Sequence, residues 1–66
     1  MSELKEYALA KVYANLTQTR FKIDDVEEDI KNKNLGGVTM DELQIVLKGH
    51  KKEEKVWRYI FDVLSL

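Results

Sequence analysis

Residues that interrupt helices occur at only two places in this sequence. Its 66 residues include no proline, and its only glycines are Gly36, Gly37 and Gly49. Since proline and glycine are the strongest helix breakers, we expect one boundary at "NLGG" (34–37) and another at Gly49. Elsewhere apolar residues recur every three or four positions, as in an amphipathic helix, and strand-like alternation is weak. The sequence therefore predicts a single all-α domain over residues 1–66.

The first predicted helical segment begins at Ser2 and ends at Asn34. Ser2 is a suitable N-cap, and Glu3 follows it in the first turn, where the helix dipole favours an acid. At the other end, Asn34 or Gly36 can adopt the left-handed conformation that ends many helices. One apolar stripe runs along the segment, comprising Leu4, Ala8, Val12, Leu16, Thr19, Ile23, Val26 and Ile30.

An acidic run within this segment conflicts with a single unbroken helix. Five of the six residues 24–29 are acidic, which suits the start of a helix better than its later turns. Asp24 or Asp25 could cap a new helix, and the preceding "TQTRF" contains poor helix formers. The apolar residues of the first segment nevertheless keep the same helical spacing through this region. We favour a break or kink within residues 18–24, and one continuous helix of about 45 Å is the alternative.

Two further helices are expected after the first boundary. Thr39 is the predicted N-cap of a helix over about 39–48, with Glu42 as its capping-box partner. A last helix over about 51–64 is the most apolar, and we expect it to be the most buried. The predicted buried residues of these helices are Met40, Leu43, Val46, Leu47, Val56, Trp57, Ile60, Phe61, Val63 and Leu64. Together the segments predict a small three- or four-helix bundle with a helix–loop–helix in its middle.

Composition restricts the chemistry available to this chain. With no cysteine and one histidine, disulfides, thiol catalysis and a multi-histidine metal site within one chain are excluded. We find no group of residues that predicts a catalytic centre, a cofactor site or a small-molecule substrate. The net charge is −1, no apolar run is long enough to cross a bilayer, and the N-terminus lacks the apolar core of a signal peptide. We therefore expect a cytoplasmic protein that is not an enzyme.

The segment "KGHKKEEKVWR" (48–58) is the most basic part of the chain. It could contact nucleic acid phosphates or an acidic protein, or it could pair with the acidic run 24–29 of the same chain or of a second copy. Two helices meeting at Gly49 would also fit a helix-turn-helix outline, although the second would be too apolar to read base edges. The candidate contact residues are Lys48, Lys51, Lys52, Lys55 and Arg58.

Residues 31–43 resemble the second half of an EF-hand calcium loop. Gly36, Val38 and Glu42 match the spacing of that family's turn glycine, central apolar residue and last acidic ligand. Two lysines, Lys31 and Lys33, occupy positions where the family places oxygen ligands. For that reason we predict a capped helix–loop–helix here and no calcium site.

The apolar C-terminal segment "VWRYIFDVLSL" (56–66) supplies the functional prediction. It holds more bulky apolar surface than we expect a 66-residue monomer to cover, and large exposed apolar patches usually mark interfaces. We predict a non-enzymatic protein–protein interaction module, a small adaptor or regulator, that forms a homodimer or binds another protein. A small nucleic-acid-binding regulator that uses segment 48–58 is the alternative. The predicted interface residues are Trp57, Tyr59, Ile60, Phe61 and Leu64.

Overall fold

The computed structural model describes residues 2–66, which form a hairpin of two long helices. Helix α1 spans Glu3–Lys31, helix α2 spans Met40–Leu64, and the loop 32–39 joins them. The hairpin measures 48 × 15 × 14 Å. Its radius of gyration is 15.0 Å, whereas a compact domain of this length has a value of about 11 Å. The molecule is therefore all-helical but elongated.

Contacts between the helices show that they run antiparallel. At the open end, the Lys5 ammonium donates a hydrogen bond to the Leu66 carbonyl oxygen at 3.2 Å. Further along, the rings of Tyr13 and Phe61 lie 6.3 Å apart. Near the middle, Arg20 of α1 reaches Glu54 of α2. Residue numbers fall along α2 as they rise along α1, so each level of the hairpin pairs an early residue with a late one.

The predicted third and fourth helices are absent from residues 2–66. The expected break within 18–24 is wrong, because α1 continues through all of these residues. The expected boundary at Gly49 is also wrong: α2 passes through this glycine, and its φ is not positive. In both places the residues facing the other helix keep the same spacing. Burial of a continuous face thus outweighs the propensity cost of about 1 kcal/mol for an internal glycine.

The two helices meet along a seam with a seven-residue repeat. On α2 the buried and half-buried residues, apart from Ile60 at the edge of the seam, follow alternating steps of three and four, the spacing of a coiled coil. They are Met40, Leu43, Leu47, His50, Glu54, Trp57, Phe61 and Leu64. On α1 the matching residues are Lys5, Leu9, Val12, Leu16, Thr19, Ile23, Val26 and Ile30.

Two of the predicted helix caps are present. The Ser2 hydroxyl accepts a hydrogen bond from the Lys5 backbone N–H at 3.2 Å, and the Thr39 hydroxyl accepts one from the Glu42 backbone N–H at 3.1 Å. Each therefore satisfies one of the N–H groups that a helix start leaves unpaired.

The end of α1 differs from the prediction. The helix stops at Lys31, and Lys33 rather than Asn34 adopts the left-handed conformation, with φ of 54°. The N–H of Asn34 reaches the Asp29 carbonyl at 2.9 Å, and the N–H of Lys33 reaches the Ile30 carbonyl at 3.2 Å. These bonds form a Schellman motif, which normally has glycine where Lys33 stands. Gly36 and Gly37 also have positive φ, but they lie later in the loop.

Candidate interaction surfaces

Polar residues occupy the centre of the seam. Thr19 is 2% exposed, and His50 and Glu54 are partly buried at seam positions of α2. His50 therefore does not lie at a solvated helix end, as Gly49 had suggested. On either side of this centre along the seam, the buried apolar side chains of residues 2–66 are Val12, Ile23, Leu43 and Leu47. So small an apolar core gives the isolated hairpin little packing energy.

A chain of charges connects the helices along one edge of the seam. The Arg20 guanidinium lies 3.0 Å from Asp24, 3.8 Å from Glu27 and 3.4 Å from Glu54. Glu27 also lies 3.6 Å from the Lys51 ammonium of α2. The negative charge of Asp24, followed by the hydrogen bond to Glu54, raises the pKa of Arg20 above its ordinary value. Arg20 thus links Asp24 and Glu27 of the acidic run to Glu54 of α2.

The acidic run and the basic segment therefore touch within one chain, as one of our interpretations of segment 48–58 predicts. The contact is limited to Lys51, because Lys48, Lys52 and Lys55 form no ion pair within residues 2–66. Arg20, the centre of this network, is not among the residues predicted from the sequence. A single arginine placed four residues before Asp24 and seven before Glu27 was the available signal, since such spacings share a helix face.

One flank of α2 is basic. Lys48, Lys51, Lys52 and Lys55 line an open concavity of about 750 Å³, together with Gln44 and Leu47. Arg58 is exposed one turn further along the same flank. We call Lys48, Lys51, Lys52, Lys55 and Arg58 the basic row. The structure thus brings four of the five predicted basic contact residues together in one concavity, with Arg58 a turn away, on a helix that does not break at Gly49. A helix-turn-helix motif at this position is therefore excluded.

The opposite flank of α2 is apolar and uncovered. Val46, Val56 and Val63 are 44%, 52% and 48% exposed. Gly49 is exposed between them, and Ile60 is half-buried at the edge of the seam. We call Val46, Gly49, Val56, Ile60 and Val63 the apolar stripe. The expectation that Val46, Val56 and Val63 would be buried is wrong, because a single partner helix covers only the seam of α2.

The predicted interface residues divide between the seam and the outer surface. Trp57, Phe61 and Leu64 are half-buried in the seam with α1, and the Trp57 indole N–H donates to the Glu53 carboxylate at 3.3 Å. Tyr59 is 70% exposed and points away from α1. Of the five, Ile60 alone belongs to the apolar stripe. The seven-residue repeat of α2 was the signal that could have separated the seam residues from the outer ones.

The described residues contain neither a metal-binding cluster nor a membrane-spanning helix. Within residues 2–66 no three histidine or acidic side chains converge in a way that could hold a metal ion. Neither of the two described helices has an apolar stretch long enough to cross a membrane.

Comparison of the chain with models of protein families, with curated proteins and with solved structures gave no match. The two flanks of α2 are therefore the candidate functional surfaces of the described residues.

Proposed function

We propose that this chain is a non-enzymatic protein–protein interaction module, a small adaptor or regulator, that self-associates through α2. The support is the apolar stripe: three valines about half exposed on one flank of a helix whose seam is already occupied. Apolar surface of this kind is costly to leave in water, and a second protein surface removes that cost.

The main support for the proposal is the large solvent-accessible surface of the hairpin. The hairpin has an accessible surface of 5287 Å². A folded monomer of 7.7 kDa ordinarily exposes about 4300 Å². The excess of roughly 1000 Å² is slightly more than the 800 Å² or so that each partner buries in a standard protein interface. One additional contact of ordinary size would bring the chain to the exposure typical of a stable domain.

Sedimentation velocity at about 10 to 100 µM tests the proposal. We expect the native chain to sediment with at least twice its monomer mass of 7.7 kDa. Val56→Asp should shift it toward the monomer, because a charge would be buried in the contact. Gln44→Asp is the matched control, since it adds the same charge on the basic flank and should leave the mass unchanged. A native chain that sediments as a monomer throughout this range would rule out self-association.

The basic row supports a second candidate function, binding to nucleic acid. Three of its lysines line the concavity without an acidic partner among residues 2–66, and lysines in a row suit contact with successive phosphates. The test is fluorescence anisotropy of a labelled oligonucleotide at about 50 and 200 mM salt. Binding should weaken with salt and in the triple variant Lys48→Gln/Lys52→Gln/Lys55→Gln. The control is Lys11→Gln/Lys22→Gln/Lys33→Gln, which removes the same charge elsewhere. Absence of binding at the lower salt concentration would exclude this function.

A further inference from the structure

The apolar stripe has a size pattern that suits a second copy of itself. Its five residues are separated by three, seven, four and three positions along α2, so all of them lie on one flank of the helix. Gly49 leaves a gap near one end, because a Cβ built there would meet no atom within 4 Å. Ile60, the bulkiest member, stands near the other end. When the stripe is turned end for end about its midpoint, Gly49 takes the position of Ile60, and Val46 takes that of Val63.

We infer that two chains pair through their α2 helices in antiparallel orientation, with Ile60 of each copy packed over Gly49 of the other. This inference rests on the proposed self-association and specifies its partner, its surface and its register. A two-fold axis near residues 54 and 55 relates the copies, so that Val46 of one chain faces Val63 of the other. Large-into-small packing of this kind lets two helices approach closely without a void. Two-fold dimers are also the commonest symmetric assemblies.

Charge on α2 is compatible with this pairing. Glu53 is the charged residue within the flank between Val46 and Val63, and its carboxylate accepts a hydrogen bond from Trp57 in the seam. In this register Glu53 stands opposite Val56 of the other copy, and the bond to Trp57 draws its carboxylate toward the seam of its own hairpin. Most of the basic row lies on the other flank of α2, and Lys52, four residues before Val56, borders the apolar stripe. An antiparallel dimer therefore buries the apolar stripe while it leaves the basic row exposed.

Pairwise disulfide trapping tests the register, because the chain has no native cysteine. We would prepare Val46→Cys and Val63→Cys as separate proteins, oxidise each alone, and then oxidise an equimolar mixture. In the inferred dimer, residues 46 of the two copies are separated by 17 positions, or about 25 Å along the helix, far beyond the 7 Å or so between Cα atoms that a disulfide spans. Residues 46 and 63 of opposite copies are adjacent. The mixture should cross-link and the separate proteins should not. Val46→Cys mixed with Glu28→Cys, at an exposed site on α1, is the control for random collision.

Each other outcome overturns the inference in a recognisable way. Cross-linking of Val46→Cys with itself would indicate parallel helices. Failure of the mixture to cross-link, while native chains sediment as dimers that Val56→Asp dissociates, would reject this register and leave self-association through α2 standing. If the native chain is monomeric, the inference and self-association fail together. Circular dichroism of both cysteine variants verifies that the helices are retained.

Discussion

Substitution of Gly49 by alanine tests whether α2 is continuous. In the structure Gly49 is an ordinary helical residue, and the added Cβ would enter open space within the hairpin. Alanine should then stabilise the fold by about 0.5–1 kcal/mol, because glycine loses more backbone freedom when it enters a helix. For a domain of this size the gain corresponds to a rise in Tm of about 2–8 °C. Thermal unfolding followed by circular dichroism at 222 nm measures it.

The sign of the effect distinguishes the two descriptions of α2. If Gly49 ended one helix and began another with positive φ, alanine would destabilise the protein by about 1–2 kcal/mol. Gly37→Ala is the matched control: its Cβ would also meet no atom within 4 Å, but its φ is 90°, so its Tm should fall. A fall in Tm for Gly49→Ala at low protein concentration would refute the continuous helix. At higher concentration the gain should shrink, because the inferred partner's Ile60 occupies the same space.

Three further predictions concern the hairpin, each read from the free energy of unfolding in urea. Ile23→Ala should lower the free energy of unfolding by about 2–5 kcal/mol because Ile23 is fully enclosed. Ile45→Ala, at a 71% exposed site, should lower it far less. Equal losses would contradict the burial of Ile23 between the helices. Lys33→Gly should stabilise by about 0.5–1 kcal/mol, since Lys33 has φ of 54°; a loss would show that this residue is not left-handed. Glu54→Leu should raise stability, because an apolar side chain suits a seam position better than a carboxylate that is paired with exposed Arg20; a decrease would mean that this pair stabilises the fold.

Sequence patterns predicted the helical class and the starts of both observed helices, but not the number of helices. Ser2 and Thr39 were recognised because an N-cap acts through a side chain and one nearby backbone N–H, both of which are local. The breaks at 18–24 and Gly49 were wrong because local propensity there opposes a long-range contact. Within the acidic run, Asp24 and Glu27 pair with Arg20, and Glu27 also pairs with Lys51 of the other helix. Local helix propensity does not include that contact between the helices.

The candidate surfaces were predictable only where they consist of residues that are close together in the sequence. The basic residues were correctly grouped, since they are close together in sequence and all lie on α2. The apolar residues of the C-terminal segment were grouped as one surface, whereas α1 divides them. Trp57 and Phe61 face α1, while Val56 and Val63 remain exposed. The seven-residue repeat of α2 indicated which residues face one partner helix, but the exposure of the remaining residues depends on how many helices surround α2.

The dependence of Tm on protein concentration shows whether a second copy covers the apolar flank of α2. Association that favours the folded state makes Tm rise with concentration. Over an approximately hundredfold range in concentration we predict a steady increase of several degrees for the native chain, and a much smaller one for Val56→Asp. A native Tm that stays constant over the whole range would contradict the account, because it would show that the uncovered hairpin is stable without a partner copy.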